Sequence, residues 1–280
     1  MSSRRARTGR AAGLATAAGV AAYATLVEPR RLTVRHVALA LPQWPRDLDG
    51  LRVGVISDLH GGAPHAGASA IGRWVGTMNA QRPDLVALTG DFVDAHFLFG
   101  RHLAPERVAD RLGELRAPLG TAAVLGNHDW KAFGVRVWTA LARAGLRMLE
   151  NESVAIEAPG GRFHVAGLAD MRQRRPNVAA ALARVPAGEP VLMLSHDPDL
   201  FPFIPSRVAL TISGHTHGGQ VAIPYLRRPF IPSRYGERYA AGHIVEGGRH
   251  LFVTTGLGTS GAPVRLLAVP ELVVLQLRAR

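Results

Sequence analysis

The sequence predicts an α/β fold in which a second, strand-rich sheet packs on the first. In the first half of the chain, short apolar runs alternate with segments whose apolar residues recur at helical spacing. This strand–helix alternation is typical of α/β proteins. The second half contains mostly strand patterns, which favours a second sheet with helices on the outside. The chain has 280 residues, 47% of them hydrophobic, and can bury a large core.

An edge strand over 31–42 begins the body of the chain. Its apolar alternation changes phase at Arg35 and His36, which predicts a bulge. The further predicted strands are 51–56, 84–89, 121–125, 147–157, 162–167, 190–194, 208–212, 250–255, 264–269 and 272–277. Helical spacing, clearest for Ile71, Trp74 and Met78, predicts helices. These are 68–80, 105–116, 135–144 and 177–184. The Ala-Pro-Gly-Gly at 158–161 predicts a hairpin turn.

The N-terminus, residues 1–30, is predicted to be a signal or anchor segment, and residues 31–280 a single domain. Residues 1–10 contain four arginines and no acid, and residues 11–27 carry no charge, a pattern typical of export signals. Ser3-Arg4-Arg5 partly resembles a twin-arginine signal. We therefore expect membrane association or export, with the body outside the cytoplasm. The alternative is a disordered or amphipathic cytoplasmic tail.

Composition limits the chemistry and the partners of the chain. There is no cysteine, so disulfides, thiolate nucleophiles and cysteine-held zinc are excluded, and a metal site must use His, Asp, Glu or Asn. The formal net charge of +12 favours anionic partners such as phosphate esters, anionic lipid head groups or nucleic acid. Almost all of the positive charge is arginine, because Lys131 is the only lysine.

Five predicted strands end at side chains that can bind a metal. In chain order these are Asp58 and His60, Asp91, Asn127 with His128, His196, and His215 with His217. Strand ends are where α/β proteins place their sites, so these side chains are expected to meet. Within the pairs Asp58/His60 and His215/His217 the residues are two apart. On an extended segment both side chains of a pair would point to the same side.

This set offers more ligand atoms than one tetrahedral ion can use. It fits two divalent ions that share a carboxylate, and the mixture of imidazole, carboxylate and amide suits Mn, Fe or Zn. Each residue also has a simpler interpretation. Asp58 or Asp91 alone would more often be a helix cap or turn residue, and His196 could be a buried, hydrogen-bonded histidine. Five such pieces in order, each after a predicted strand, favour metal binding.

The motifs resemble those of the calcineurin-like metallophosphoesterase superfamily, over about residue 47 to the C-terminus. The matching motifs are Asp58-x-His60, Gly90-Asp91-x-x-Asp94, Gly126-Asn127-His128-Asp129, His196 and Gly214-His215-x-His217. The segments 218–220, 232–235 and 256–265 are similar to the bacterial, membrane-associated (YkuE-type) branch. The resemblance implies a four-layer α/β/β/α sandwich, the metallo-dependent phosphatase fold.

The resemblance also implies roles for these residues. One divalent cation would be held by Asp58, His60 and His217. The other would be held by Asn127, His196 and His215, and Asp91 would bridge the two. His128 would face the scissile phosphate, Asp129 would hold its ring, and Asp94 would support the metal loop. The implied reaction is hydrolysis of a phosphoester or phosphoanhydride by a hydroxide that bridges the cations.

The substrate is less constrained. We hypothesise that the arginine-rich loop 224–239, including Arg234 and Tyr235, contacts an anionic or amphipathic substrate; a solvated basic loop is the alternative. The branch suggests lipid-linked, nucleotide-sugar or other envelope phosphates. A metal-dependent nuclease or cyclic-nucleotide phosphodiesterase is a competing reading, but the chain lacks the aromatic-interleaved basic stripe that binds nucleic acid strands. A non-catalytic scaffold conflicts with the complete ligand set. The sequence makes no prediction of the oligomeric state.

Overall fold

A computed structural model describes residues 2–94 and 100–280, with the side chains of residues 2–11 left out. The described part contains five α-helices and twelve strands. The helices are α1 (Ser2–Ala22), α2 (Ala68–Ala80), α3 (Pro105–Leu112), α4 (Asn127–Arg143) and α5 (Val178–Leu182). The strands are β1 (Thr33–Leu41), β2 (Arg52–Ile56), β3 (Leu85–Leu88), β4 (Thr121–Ala123), β5 (Arg147–Met148), β6 (Glu152–Ala158), β7 (Gly161–Gly167), β8 (Val191–Leu194), β9 (Leu210–Ser213), β10 (Gly242–Glu246), β11 (Arg249–Val253) and β12 (Glu271–Ala279).

The strands form two six-stranded sheets. Their orders are β1-β12-β2-β3-β4-β5 and β10-β11-β9-β8-β7-β6. In the first sheet β2, β3, β4 and β5 run parallel, and in the second β7, β8, β9 and β11 do. Each sheet therefore brings the carboxyl ends of its central strands to one edge, as expected for parallel strands.

Alternating side chains divide the molecule into four layers. In β3, Leu85 and Ala87 pack into the core between the two sheets, while Val86 and Leu88 pack under the helices α2, α3 and α4. The inter-sheet core also contains Phe163 of β7. A smaller core covers the other face of the second sheet, with contributions from α5. The layers are thus α/β/β/α, which confirms the predicted fold.

Three strand predictions are wrong. The strand predicted over 147–157 is two strands in different sheets, because Asn151 adopts a left-handed conformation with φ of 56° between them. The segment predicted as a strand over 264–269 forms only a single bridge, between Leu266 and Val221. The bulge at Arg35 and His36 does not occur, since β1 pairs residue by residue with β12 along its whole length.

Strand β10 was not predicted from the sequence. It lies at the edge of its sheet, with side chains that are all exposed or half-buried. Its apolar pattern is therefore weak. Helix α4 begins eight residues before the predicted start and is kinked at Phe133 (φ −153°, ψ 42°). That kink hides the helical period of its first two turns.

Part of the N-terminal segment packs against the body of the protein. Ala24 and Glu28 are buried. The carbonyl oxygen of Ala24 accepts the backbone N–H of Arg265 at 2.9 Å, and Glu28 Oε1 accepts that of Ala268 at 2.8 Å. Among the helices that the structure describes, none has the length and apolar character needed to cross a membrane. The domain boundary at residue 30 and the signal or anchor role stay predictions.

Candidate metal centre

The ends of β2, β3, β4, β8 and β9 bring the predicted ligands together at the edge where the two sheets meet. Acidic and imidazole side chains form three groups whose ligand atoms lie within 4.8 Å of one another. The groups are Asp58/His60/His217, Asp91/His196/His215 and His60/Asp94/His128. All members except His128 are buried. Their roles as metal ligands remain predictions, but their convergence is a property of the fold.

The backbone at these residues is not extended. Left-handed φ values of 53°, 44°, 55°, 69° and 51° occur at Asp58, His60, Asp91, His215 and His217. Residues other than glycine seldom adopt this conformation, which costs roughly 1–3 kcal/mol each and is concentrated at functional sites. The expectation that each pair two residues apart points to one side is wrong for His215 and His217. Their rings point into different groups.

Two glycines allow this close approach. A Cβ atom on Gly126 would overlap with Oδ1 of Asp91, and one on Gly214 would overlap with Oδ2 of Asp58. Any side chain at either position would displace a carboxylate of the candidate metal centre. These two motif glycines are therefore needed for space.

The first group contains Asp58, His60 and His217. Nε2 of His60 lies 3.0 Å from Nε2 of His217, and Oδ1 of Asp58 lies 3.5 Å from the same His217 nitrogen. The carboxylate of Asp58 is held by the backbone N–H of His215 at 3.0 Å. These contacts leave three ligand atoms facing one point.

The second group is Asp91, His196 and His215, and Asn127 lies beside it. Nε2 of His196 lies 3.1 Å from Nδ1 of His215 and 3.2 Å from Oδ1 of Asn127. Oδ2 of Asp91 lies 3.2 Å from Nε2 of His196 and 3.6 Å from Nε2 of His60. Its other oxygen accepts the backbone N–H of His128 at 2.8 Å. Asp91 therefore lies between the two groups, within 3.6 Å of an imidazole nitrogen of each.

The hydrogen bonds of the rings show that a cation fits the second group. Nδ1 of His196 faces the carbonyl oxygen of Thr89 at 2.7 Å, and Nε2 of His215 faces that of Pro232 at 3.2 Å. A carbonyl can only accept, so these nitrogens carry the protons and the nitrogens facing each other carry lone pairs. Two lone pairs 3.1 Å apart repel unless a cation or a proton lies between them.

The charges around His196 also favour a cation in the second group. Burial lowers the pKa of His196, but the carboxylates of Asp91 and Asp58 outweigh it and hold that pKa well above its ordinary value. Burial together with the positive charge of His196 lowers the pKa of His215 well below its usual range. The second group thus favours positive charge while keeping His215 neutral, the form in which imidazole binds metals.

In the first group the contacts fix the tautomer of His60 but not that of His217. Nδ1 of His60 faces the carboxylate of Asp94 at 3.2 Å, which leaves the lone pair of His60 on Nε2, inside the group. Nδ1 of His217 lies 3.2 Å from Nη2 of Arg265. Both hydrogens of that Nη2 are directed to the carbonyl oxygens of Thr255 and Gly258, so the contact does not set the tautomer of His217.

The predicted role of Asp129 is wrong. Its buried carboxylate does not contact the ring of His128; it accepts backbone N–H groups of the loop after β3 and of Gly126. The donors are Asp91, Phe92, Val93 and Gly126, at 2.8–3.0 Å. Burial and the charge of Asp91 raise the pKa of Asp129 to about 7, against the effect of these donors. Asp129 therefore shapes the backbone that carries Asp91.

Asp94 holds the ring of His128 instead. Its Oδ2 lies 3.2 Å from Nδ1 of His128, and the opposite nitrogen, Nε2, lies 3.3 Å from Oγ of Ser260. Burial lowers the pKa of His128, but the hydrogen bond to Asp94 and the charge of Asp91 raise it more, so that its pKa lies above the ordinary value. With 21% of its side chain exposed, His128 is accessible from the cavity above the two groups.

That cavity has a volume of about 340 Å³. Phe230, from the loop 224–239 that is predicted to contact the substrate, lines it. It is also lined by the side chains of Lys131, Arg172, Gln220 and Ser260, to which sequence reasoning assigned no role at the site. Lys131 follows Asn127 by four residues, one helical turn, so the helix that begins at the Gly-Asn-His-Asp motif could have indicated it. Arg172 lies in a loop without a recognisable pattern.

The two predicted substrate contacts are separated in space. Arg234 lines a second, adjoining cavity, and 72% of its side chain is exposed. Tyr235 packs against Tyr239, with 5.0 Å between ring centroids, and lines neither of these two cavities. The structure brings Arg234 near the site but directs Tyr235 into a small apolar cluster.

The chain is similar to several known proteins. The family model described as calcineurin-like phosphoesterase matches residues 51–219. The metallophosphoesterase YkuE of Bacillus subtilis (strain 168) is 32% identical over 272 residues, 96% of this chain and 93% of that protein. Phosphodiesterase YaeI of Escherichia coli (strain K12) is 34% identical over 70% of this chain and 71% of its own. Among solved structures, the NAD nucleotidase of Haemophilus influenzae superposes with a TM-score of 0.46 at 14% identity, covering 73% of this chain and 50% of that one.

Proposed function

This chain belongs to the calcineurin-like phosphoesterase family and is a phosphoester hydrolase, and we propose that it works with two divalent cations on a lipid-linked, nucleotide-sugar or other envelope phosphate. The observation that carries the proposal is the position of Asp91. Its Oδ2 lies within 3.6 Å of an imidazole nitrogen in each of two ligand groups. A carboxylate shared in this way is the feature that two-metal hydrolases need.

The residues divide between the two cations as follows. Asp58, His60 and His217 would hold one, and Asn127, His196 and His215 the other. Mn, Fe or Zn suits such a donor set, which contains imidazole nitrogens, carboxylates and one amide oxygen. Divalent cations bound there would supply Lewis-acid charge to the phosphoryl oxygens and lower the pKa of a water molecule.

His128 is the group of this chain that can move a proton. Asp94 fixes Nδ1 and leaves Nε2 directed to the cavity beside Ser260. From there Nε2 can donate to an oxygen of the bound phosphate or to the leaving oxygen. Positioned general acids of this kind typically contribute roughly 10²–10⁴-fold to the rate.

The surroundings of the cavity support an amphipathic substrate. Phe230 lines the cavity and is half exposed, and the same loop leaves Tyr225 and Leu226 largely in solvent. Arg227 and Arg228 lie between these apolar residues in the sequence. An anionic head group joined to an apolar or aromatic portion would match this loop. Membrane association or export through the N-terminus, with its twin-arginine-like segment, belongs to the same proposal.

The test is hydrolysis of bis-p-nitrophenyl phosphate and p-nitrophenyl phosphate by the purified protein. Assays would compare added Mn²⁺, Fe²⁺ and Zn²⁺ with chelated protein and with Asp91→Asn. We expect metal-dependent turnover that falls at least 100-fold in Asp91→Asn, with two metal equivalents per wild-type chain. Turnover that persists after complete chelation, or one metal per chain at full activity, would overturn the two-cation proposal. The ratio of diester to monoester activity then selects which natural phosphates to assay.

A further inference from the structure

A second cavity of about 600 Å³ adjoins the one above the candidate metal centre. The two share Lys131, Arg172 and Pro232 in their walls, so they form one continuous depression. A ligand whose phosphate lies over Asp91 would extend past Lys131 and Arg172 into this second space. We call the part of it lined by Lys131, Arg172 and Arg234 the Lys131 pocket.

Lys131 is the cation best placed to bind a ligand in this pocket. It lies on α4, one turn after Asn127, so its position relative to the candidate metal centre is set by the helix. It is exposed, and makes no hydrogen bond or ion pair to any residue that the structure describes. Its ammonium group is therefore free to meet an anion.

Arg172 is held rigidly from three sides. The buried carboxylate of Asp170 accepts its backbone N–H at 3.0 Å, fixing the turn that carries it. Its Nε donates to Asp197 at 2.9 Å, and its Nη2 donates to the carbonyl oxygen of Pro232 at 2.5 Å. Within residues 2–94 and 100–280, Nη1 has no partner. An arginine fixed in this way can bind an anion without losing further side-chain freedom.

Two carboxylates also line the pocket, and both already bind groups of the protein. Asp197 is fully buried behind Arg172, of which 39% is exposed. Asp199 accepts Oγ of Ser233 and the backbone N–H of Arg234, and only 1% of its side chain is exposed. The acids therefore lie behind the cations, and the exposed charged groups of the pocket are those of Lys131, Arg172 and Arg234.

We propose that the Lys131 pocket binds a second phosphate group of the substrate, next to the one hydrolysed over the metal centre. The inference rests on the proposed function and restricts its substrates to those with two phosphate groups. Substrates with two phosphates would be preferred over those with one, and Lys131 and Arg172 would determine that preference. A nucleotide diphosphate and a lipid diphosphate share this chemistry.

The test is equilibrium binding to the metal-loaded, full-length protein, which does not depend on turnover. Methylenediphosphonate carries two phosphonates and methylphosphonate one, and neither is hydrolysed. The ratio of their dissociation constants is measured by calorimetry for wild type, Lys131→Met and Arg172→Lys. Arg143→Met, an exposed cation on the same helix, is the matched control.

We expect each pocket variant to weaken methylenediphosphonate roughly tenfold relative to methylphosphonate, as loss of one charge-assisted hydrogen bond predicts. Arg143→Met should leave the ratio unchanged. If both pocket variants melt like wild type and leave the ratio unaltered, the inference is overturned. The proposed function is tested separately, by hydrolysis of bis-p-nitrophenyl phosphate. Competition by UDP-glucose or by farnesyl diphosphate then identifies a nucleotide or a lipid source, and competition by neither also overturns it.

Discussion

Oδ2 of Asp94 lies 3.2 Å from Nδ1 of His128. The same oxygen lies 3.2 Å from Nδ1 of His60. One carboxylate therefore orients both the imidazole that faces the cavity and an imidazole of the first ligand group. The proton on each Nδ1 is fixed by Asp94, so the other nitrogen of each ring is directed into the site. Asp94 thus couples the proposed proton donor to the candidate metal centre.

Replacing Asp94 should therefore affect both rings at once. In Asp94→Ala we expect metal affinity to fall by roughly 10–100-fold, as is typical when the partner of a ligating histidine is removed. In saturating metal, kcat should still be reduced, because His128 has lost its orienting contact. Metal titration and steady-state kinetics separate the two effects. Asp110→Ala, an exposed acid on α3, is the control and should change neither.

The same coupling predicts non-additive kinetics. If Asp94 acts on catalysis through His128, Asp94→Ala in a His128→Ala background should cost less in kcat than in wild type. Measured with all proteins saturated in metal, equal costs in both backgrounds would contradict the link between these two residues.

His128 itself should matter most for poor leaving groups. We expect His128→Gln to lower kcat by roughly 10²–10⁴-fold with an alkyl leaving group, and by less with p-nitrophenolate, which leaves without a proton. Metal content should be unchanged, because His128 binds Asp91 through its backbone N–H, which glutamine retains. A series of aryl and alkyl phosphodiesters gives the dependence on leaving-group pKa. Equal losses across the series would assign His128 to binding the phosphate instead.

Asp129 should behave differently from Asp94. Its carboxylate accepts four backbone N–H groups in the interior, and in Asp129→Asn an amide N–H₂ would face some of those donors. A buried N–H that loses its acceptor costs about 1–3 kcal/mol, so the free energy of unfolding should fall by at least that amount. Denaturant titration of the chelated protein measures this without metal.

The sequence sufficed to find the residues of the candidate metal centre but not the directions of their side chains. Asp58, His60, Asp91, His215 and His217 could be found because each follows an apolar strand pattern. Their left-handed backbone could not, because it is imposed by tertiary contacts such as the carboxylate of Asp58 binding the N–H of His215. An extended backbone was assumed, and it gave the wrong orientation for His215.

The exchange of roles between Asp94 and Asp129 has a similar cause. Asp129 is adjacent to His128 in the sequence, but in a helix neighbouring side chains point in different directions. Asp94 is 34 residues away and reaches the ring from the loop after β3.

Lys131 and Arg172 were missed because a lone cation has no pattern; only the cavity places them together. The two sheets were predictable, since buried strands are apolar, whereas the edge strand β10 was not.

Removing the metal should destabilise the fold. The lone pairs of His196 and His215 face each other at 3.1 Å, so chelated protein must either protonate His196 or leave this repulsion in place. We expect chelation to lower the melting temperature and added cation to restore it in a concentration-dependent manner. At 100 times Kd, one bound ion contributes about 2.7 kcal/mol. His215→Ala removes one of the two lone pairs, and chelation should then change its melting temperature less than that of wild type.

The N-terminal segment should contribute to stability only from about Tyr23 onward. Glu28 is buried, and its carboxylate accepts the N–H of Ala268 in the loop that also carries Arg265. Burial lowers the pKa of Arg265 to about 10, and the charge of Glu28 is among the groups that oppose this. Glu28→Gln would leave the buried guanidinium with less compensating charge, so we expect unfolding to become easier by about 1–3 kcal/mol.

Two truncations test the same contacts without a substitution. Protein beginning at Tyr23 keeps Ala24, Thr25 and Glu28, and should melt at the temperature of the full chain. Protein beginning at Arg31 loses the hydrogen bonds that these residues make to Arg265, His65 and Ala268, and should melt several degrees lower. Because Arg265 also contacts His217, the shorter protein should bind metal more weakly. Equal melting temperatures and metal affinities for the two would show that the body is independent of this segment, and would support the domain boundary predicted at residue 30.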